Sequence, residues 1–240
     1  AGQIEGKGGN DFEPEFTWLY MRFGITNNLT IDIGRKALPL YYYSDFINVS
    51  YAYPWIRASG DIYGWPLSSY NGISASYTND IGDGTYTISA WYGEEEDKDN
   101  RAYNEIYWGA ESFYIKWSDI IGAAFEYNYD WLVLRAVMMT SKDKEVADWG
   151  GGDTELVSDN VKQNFYGLSA IIDYDNFLFQ SEYNQFDSED FNSEAYLFAF
   201  GYRIGDFTPM ITYSKYSDKD PDFGKQINNT MSYTVRWDAH

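Results

Sequence analysis

Segment after segment of this chain places an apolar side chain at every second position. The sharpest case is Tyr196-Leu197-Phe198-Ala199-Phe200-Gly201-Tyr202-Arg203, which is aromatic at alternate positions and whose other register ends in a charge. A β-strand turns successive side chains to opposite faces, so this pattern predicts strands with two chemically different sides. About eleven such segments recur, joined alternately by tight turns and long acidic loops. A dyad pattern this rich in aromatics suits a strand with lipid on one side and water on the other, as in an all-β, antiparallel transmembrane barrel. A wall of that kind supports passage of solutes rather than chemistry.

Composition agrees. The 240 residues include 24 tyrosines and 20% aromatics, and rings with an apolar body and a polar edge suit the two membrane interfaces. No run approaches the roughly 18 apolar residues of a transmembrane helix. A negative mean hydropathy is no objection, because only alternate residues of a barrel strand meet lipid. The absence of cysteine excludes disulfides and thiolate metal sites. A net charge of -20 disfavours nucleic acid, which calls for clustered Lys and Arg. Residue 1 is not followed by a charged and then apolar leader.

No linker or composition break divides the chain, so residues 1–240 read as one domain. Ala1 to Asn10 reads as a Gly-rich turn or loop. Tight turns are predicted at Thr26-Asn27-Asn28, around Asp80-Ile81-Gly82-Asp83-Gly84, at Asn128-Tyr129-Asp130, at Asp173-Tyr174-Asp175-Asn176 and at Ile204-Gly205-Asp206, where Asn, Asp and Gly tolerate left-handed backbone. Long polar loops are predicted at about 93–101, 141–163, 187–194 and 217–229, with the longest interruption at about 39–69. Short turns alternating with long loops are the topology of a barrel with a periplasmic and an external rim. An odd count of eleven predicts strands missing at both ends; a complete barrel of about twelve is the competing reading.

Asp11-Phe12-Glu13-Pro14-Glu15-Phe16-Thr17-Trp18-Leu19-Tyr20 and Ile33-Gly34-Arg35-Lys36-Ala37-Leu38-Pro39-Leu40-Tyr41-Tyr42-Tyr43-Ser44-Asp45 resemble segments of the general trimeric porins of Gram-negative bacteria. The Gly-Arg pair entering a long loop looks like the porin strand that feeds the constriction loop. Val49-Ser50-Tyr51-Ala52-Tyr53-Pro54-Trp55-Ile56-Arg57 looks like the version in proteobacterial porin-like proteins. The match covers about residues 11–78; beyond that, strand rhythm and turn style carry it. The resemblance implies a sixteen-stranded barrel in a bacterial outer membrane, assembled as a homotrimer. It also implies passive diffusion of small hydrophilic solutes and ions, with outer-membrane lipid and lipopolysaccharide as neighbours.

In that reading the loop at 39–69 folds into the lumen and brings Asp45 and Asp61 against basic groups on the facing wall. The wall candidates are Arg22, Arg35, Arg135, Arg203 and Arg236, each with apolar neighbours in the opposite register; Arg57 lies in the loop itself. A charge on the lipid face costs roughly 2–4 kcal/mol at midplane, so these side chains are expected to face water. Opposed charges across a narrow opening make a transverse field that selects ions and orients polar solutes. The plainer alternative is that the arginines pair with Glu126, Asp32 or Glu182 and hold the lumen together. Net charge leans towards cations, although the wall candidates are basic.

The rings Tyr41, Tyr42, Tyr43, Tyr51, Tyr53, Trp55, Tyr63 and Trp65 invite a sugar-stacking path, but the simpler expectation is that they wedge the loop against the wall. The acidic runs Glu94-Glu95-Glu96-Asp97 and Asp218-Lys219-Asp220-Pro221-Asp222 read as solvated external loops rather than metal sites, since Phe223 stands where a calcium loop needs glycine. Neither a cofactor nor a metal is expected. The lone histidine, His240, ends the chain and builds no triad, so no enzyme is expected. Two rivals remain: a soluble carbohydrate-binding β-sandwich and a plugged structural anchor in the outer membrane.

Overall fold

A computed structural model describes residues 2–6, 14–47, 49, 53–55, 58–64, 67–98, 100, 109–189, 191–220 and 224–238. Twelve strands follow one another: β1 (Gly2–Gly6), β2 (Pro14–Gly24), β3 (Leu29–Ala37), β4 (Ser69–Ile81), β5 (Gly84–Asp97), β6 (Ser112–Tyr129), β7 (Leu132–Gly150), β8 (Asp153–Tyr174), β9 (Phe177–Asp187), β10 (Asn192–Tyr202), β11 (Phe207–Asp220) and β12 (Gly224–Trp237). Each pairs antiparallel with its neighbours in chain order, in one sheet. Among the described residues no ladder joins β1 to β12. The extra strand relative to the expected eleven is β1, whose five residues run from Gly2↔Leu19 to Gly6↔Pro14. Its two end glycines hide it in the sequence, because only Gln3-Ile4-Glu5 lies between them to show alternation.

The predicted tight turns are present. Left-handed backbone falls on Asp130, Asp175, Gly82 and Gly205 (φ 33°, 54°, 61° and 58°). The predicted long loops are mostly not loops. β7 and β8 continue to Gly150 and from Asp153, so only Gly151 and Gly152 lie between the two strands. β9–β10 and β11–β12 extend in the same way. Polar sequence concealed this, because once a strand rises above the lipid both faces are wet and the apolar register stops while the ladder goes on. A barrel strand needs roughly 9–11 residues to cross a membrane, and β6, β7 and β8 have 18, 19 and 22. The excess stands beyond the bilayer on the side of the 39–69 loop.

Alternation sorts the side chains as expected. One register is buried across the sheet: Trp91, Val137, Met139, Phe165, Glu182, Leu197, Thr212 and Ser214. The other is exposed and apolar: Ile88, Phe125, Leu134, Met138, Leu168, Phe198, Phe200 and Ile211. So large a continuous apolar surface has no counterpart on an ordinary soluble monomer. Towards the short-turn rim it ends in ring pairs, Trp131–Tyr174 at 5.8 Å, Phe177–Tyr202 at 4.9 Å and Phe207–Trp237 at 6.3 Å, the arrangement of an interfacial aromatic belt.

One row has no room for side chains. Gly34 pairs with Gly72 and Gly72 with Gly93. A Cβ at Gly72 would stand 2.1 Å from the Tyr92 carbonyl oxygen, and one at Gly34 would stand 2.4 Å from that of Leu19. Three adjacent strands are thereby drawn into close approach just below the point where the chain leaves β3 for the long loop.

Candidate functional site

The segment from Leu38 to Ser68 leaves β3, folds into the concave side of the sheet and returns to β4. Its described part contains a short 3-10 turn at Ser44–Phe46. At its two ends Leu38, Leu40 and Leu67 are buried among Tyr70, Trp91, Phe113, Ile115, Trp117, Ile120, Val137, Met139 and Phe165, the inner face of β4 to β8. Further along, Tyr43, Tyr53, Trp55 and Ile62 are buried against Ala195, Leu197, Ala199 and Met210 on β10 and β11. The two alanines on that wall leave the space that the rings fill. The tyrosines pack edge to face, Tyr42–Tyr43 at 4.8 Å and Tyr43–Trp55 at 6.0 Å. They wedge the loop against the wall.

Polar contacts fix the loop's path. The Tyr43 hydroxyl donates to Gln180 Oε1 (3.0 Å) and the Tyr63 hydroxyl to Glu182 Oε1. Gln180 Nε2 also donates to Glu182 Oε1 (2.8 Å), so a carboxylate 2% exposed is satisfied mostly by neutral donors. Burial, next to that carboxylate, pushes the Tyr63 phenol well above its ordinary range. Farther on, Trp55 Nε1 donates to Thr212 Oγ1 (2.8 Å). Asp61 accepts from Ser214 Oγ and from Asn228 Nδ2, both at 2.6 Å. A loop that springs from β3 and bonds to β12 requires a sheet curled around it.

The sequence candidates separate into distinct places. Asp45 is exposed on the loop, and its charge is felt at Lys36, Arg135 and Arg22. It touches water, but the protein crowding around it weakens its solvation and raises its carboxyl above the ordinary aspartate range, while those cations pull the other way. Asp61 faces Ser214 and Asn228, not a basic group, because the loop reaches beyond the basic strands to β12. Arg22 Nε and Nη2 bind the two Asp32 oxygens (2.7 and 2.9 Å), and Lys36 Nζ reaches Asp32 (2.5 Å) and Ser74 (3.0 Å). Arg22 and Lys36 also lie over the Tyr20 ring, at 5.6 and 5.0 Å.

Arg135 is buried and donates to the carbonyls of Leu40 (3.1 Å) and Pro39, with Glu126 at 4.0 Å. It holds the root of the loop. Arg35 forms a two-pronged pair with Glu95 (2.7 and 2.5 Å), which also accepts from Asn71 (2.8 Å). Glu95 is therefore a structural partner, although the sequence placed it in a solvated loop. Arg203 binds Asp173 (2.7 Å) and Arg236 binds Asp238 (2.7 Å), both at the short-turn rim, opposite the loop. Register carries them there, since each stands at or beyond a strand end beside a short turn. Arg57, Tyr51 and Trp65 lie outside the described residues, as do Phe223 and His240. Lys36, Gln180 and Glu182 complete the site. Lys36 sits one residue past the Gly34-Arg35 pair, a signal present in the sequence, whereas nothing local marks Gln180 as a loop partner.

The loop thus covers the inner wall of β5 to β12 and leaves open that of β2 and β3, where Arg22 keeps 56% of its side chain exposed. There Arg22 and Lys36 stand on the wall and Asp45 on the loop, near enough for their opposite charges to act on one another.

No family model matches the chain, and no curated protein does. Among solved structures it is similar to OmpT, an outer membrane protein of Vibrio cholerae, in an in-vitro folded form, with a TM-score of 0.55 and 11% identity over 98% of this chain and 78% of that one. It is similar also to Salmonella typhi OmpF in complex with daunomycin, with a TM-score of 0.52 and 14% identity over 97% and 83% of the two chains. At such identities the likeness is one of fold. Together with the apolar outer face and the aromatic belt, it makes this chain an all-β protein with the fold of the bacterial outer-membrane β-barrels and an outer wall suited to lipid.

Proposed function

We propose that this protein is a diffusion pore for small hydrophilic solutes and ions, filtering by size and by charge at the inward loop. The observation that carries this reading is the loop's one-sided seating. It is seated on β5 to β12 by apolar packing and hydrogen bonds, while on β2 and β3 the inward side chains are charged and Arg22 keeps 56% of its surface exposed. A loop that served only as a plug has no need of an exposed Asp45 opposite an exposed Arg22. The field between them orients water and dipolar solutes crossing the gap. We take the assembly to be a homotrimer, as in the porins the sequence resembles, and the protein to have no catalytic role.

Single-channel conductance in a planar bilayer tests this, with a salt gradient to read ion preference. Discrete open steps, grouped in threes, support a trimeric pore. Silence from protein that is folded by heat-modifiable gel migration and circular dichroism overturns it in favour of a plugged anchor. A protein that stays folded and monomeric without detergent returns the reading to a soluble β-sandwich.

A further inference from the structure

Above the lipid, the overhanging part of β7 carries two inward carboxylates that no Lys or Arg answers among the described residues. Asp143 and Glu145 stand two positions apart on one face, across the ladder from Trp117 and Ile115 of β6, both buried. They are the twelfth and fourteenth residues of β7, beyond the roughly 9–11 that cross a membrane. On the other side, Ser158 of β8 pairs with Glu145 and donates its hydroxyl to Asp143 Oδ2 (2.8 Å). Asp143 therefore leans along the strand towards the level of Glu145, and three oxygen-bearing side chains gather on one patch. Two bulges in β8 bracket it. Asn160 has no ladder partner between the Asp143 and Lys144 pairs, and Val157 has none between those of Glu145 and Val146. Bulges of this kind re-aim side chains.

The other buried carboxylates of the wall are matched: Asp32 by Arg22 and Lys36, Glu95 by Arg35, Glu182 by Tyr63 and Gln180. Asp143 is not. It is 4% exposed, and its Oδ1 is shut off from solvent without a hydrogen-bond partner. A buried acceptor left in that state calls for a donor or an ion. The lysines nearby in the chain are engaged on the outward face, Lys142 with Asp119, Lys144 with Asp159 and Lys116 with Glu94. On β5, Asp97 accepts from Asn100. Burial, and then the charge of Asp143, pushes the Glu145 carboxyl up to about 7.

We propose that Asp143, Glu145 and Ser158 bind a divalent cation, calcium by preference, on the inner face of the overhang. The donors are all oxygen and two of them are charged, which is the hard-ligand chemistry of calcium and magnesium. Calcium accepts an irregular set of ligands completed by water, whereas magnesium demands a near-ideal octahedron. Water reaches the patch on the side of Glu145, which is half-buried. The ion supplies Asp143 Oδ1 with a partner and cancels the repulsion between the two acids. It also ties β7 to β8 where β8 has lost its other neighbour, since the ladder to β9 ends at Asn164–Asp187. The inference goes beyond the pore reading and stands without it.

The test titrates calcium chloride by calorimetry into the full chain, refolded in detergent and freed of metal by a chelator. One ion per chain is expected, with a Kd of about 0.1–1 mM, the range of extracellular calcium modules. Asp143→Asn and Glu145→Gln keep side-chain size, and each should weaken binding roughly tenfold or more by removing a ligand charge. E94Q/E96Q, on the outward acidic run, should bind as wild type does. Affinity should fall as pH drops through about 7, where a proton takes the ion's place on Glu145. Calcium should also slow hydrogen exchange at residues 143–161 in the wild type and not in Asp143→Asn. Without calcium Asp143→Asn should melt no lower than the wild type, because it loses a repulsion, so a loss of binding is not a loss of fold. Wild-type affinity in both single variants overturns the proposal, as does the absence of saturable binding. Tighter binding of magnesium chloride overturns the assignment to calcium. None of these readouts uses conductance, so a failed pore reading is told apart from a failed cation site.

Discussion

On β9 to β12 the inward polar groups are taken up by the loop: Gln180 by Tyr43, Glu182 by Tyr63, Thr212 by Trp55, Ser214 and Asn228 by Asp61. On β2 and β3 the inward groups are charged, and they bond to one another and to Ser74 while Arg22 stays open to water. One wall holds and the other faces the gap. On the holding wall the carboxylates Glu182 and Asp61 are met by neutral donors, whose charge-assisted hydrogen bonds satisfy both partners without burying a cation. Charges suit the open wall, where Arg22 and Lys36 share the single carboxylate of Asp32 and so leave an excess of positive charge towards the water.

The contrast breaks most visibly at Trp55. Trp55→Ala removes a buried ring and the bond to Thr212, and is expected to cost about 3–5 kcal/mol, read by urea-induced unfolding in detergent. It also frees the far part of the loop, so open-channel conductance should rise and become noisier. Wild-type conductance from this variant would show that the far wall does not hold the loop in place.

Glu182→Ala strands the Tyr63 hydroxyl and the Gln180 amide, and a loss of about 2–4 kcal/mol is expected by the same measurement. Glu182→Gln keeps an acceptor and should lose clearly less. Equal losses would mean that packing, not hydrogen bonding, seats this part of the loop.

On the open wall the expectation reverses. Arg22→Ala should cost about 1–2 kcal/mol, less than the changes above, since the buried Asp32 carboxylate it leaves behind keeps Lys36 as a partner. It should move the reversal potential in a salt gradient towards cations, and Asp45→Asn should move it towards anions. Shifts of the same sign in both variants would deny that the two face each other across the path.

The smallest expected effect is in pH. Because Asp45 is held above the ordinary aspartate range, its charge is lost as pH falls through a window lying above that range. Cation preference should drop there, and the step should be missing from Asp45→Asn. The linkage has the matching sign: a carboxyl raised by folding costs stability when ionised, and that cost disappears as pH falls below the folded value. Mild acid should therefore change selectivity in this window without the Asp45 step destabilising the barrel.

Much of this was legible in local pattern. Alternation found the strands of the wall, and Asp175-Asn176 and Gly205-Asp206 found their turns, because both signals depend on a few adjacent residues. Asp32 and Glu126 were also among the arginine partners that the sequence offers, and the structure puts them on Arg22 and Arg135, each across a short turn on a neighbouring strand. Illegible were the contacts that cross the interior. Nothing near Asp61 in the chain points to Asn228, 167 positions away, and nothing near Tyr63 points to Glu182. The overhanging parts of β7 and β8 were read as loops because their faces are both wet and no longer alternate. Arg203 looked like a lumen residue by register and proved to lie at the far rim, since register fixes the face of a strand and not the height along it.

Sequence by itself determined the strands, their two faces and the place where a long segment interrupts them, because a period of two is a property of consecutive residues and of the media on either side. Tertiary structure alone decided which wall the loop leans on, which carboxylate meets which donor, and that Asp143, Glu145 and Ser158 gather on the inner face of the overhang. Those depend on ladder register and on how the sheet curls, and both are set by many weak contacts acting together across distant parts of the chain.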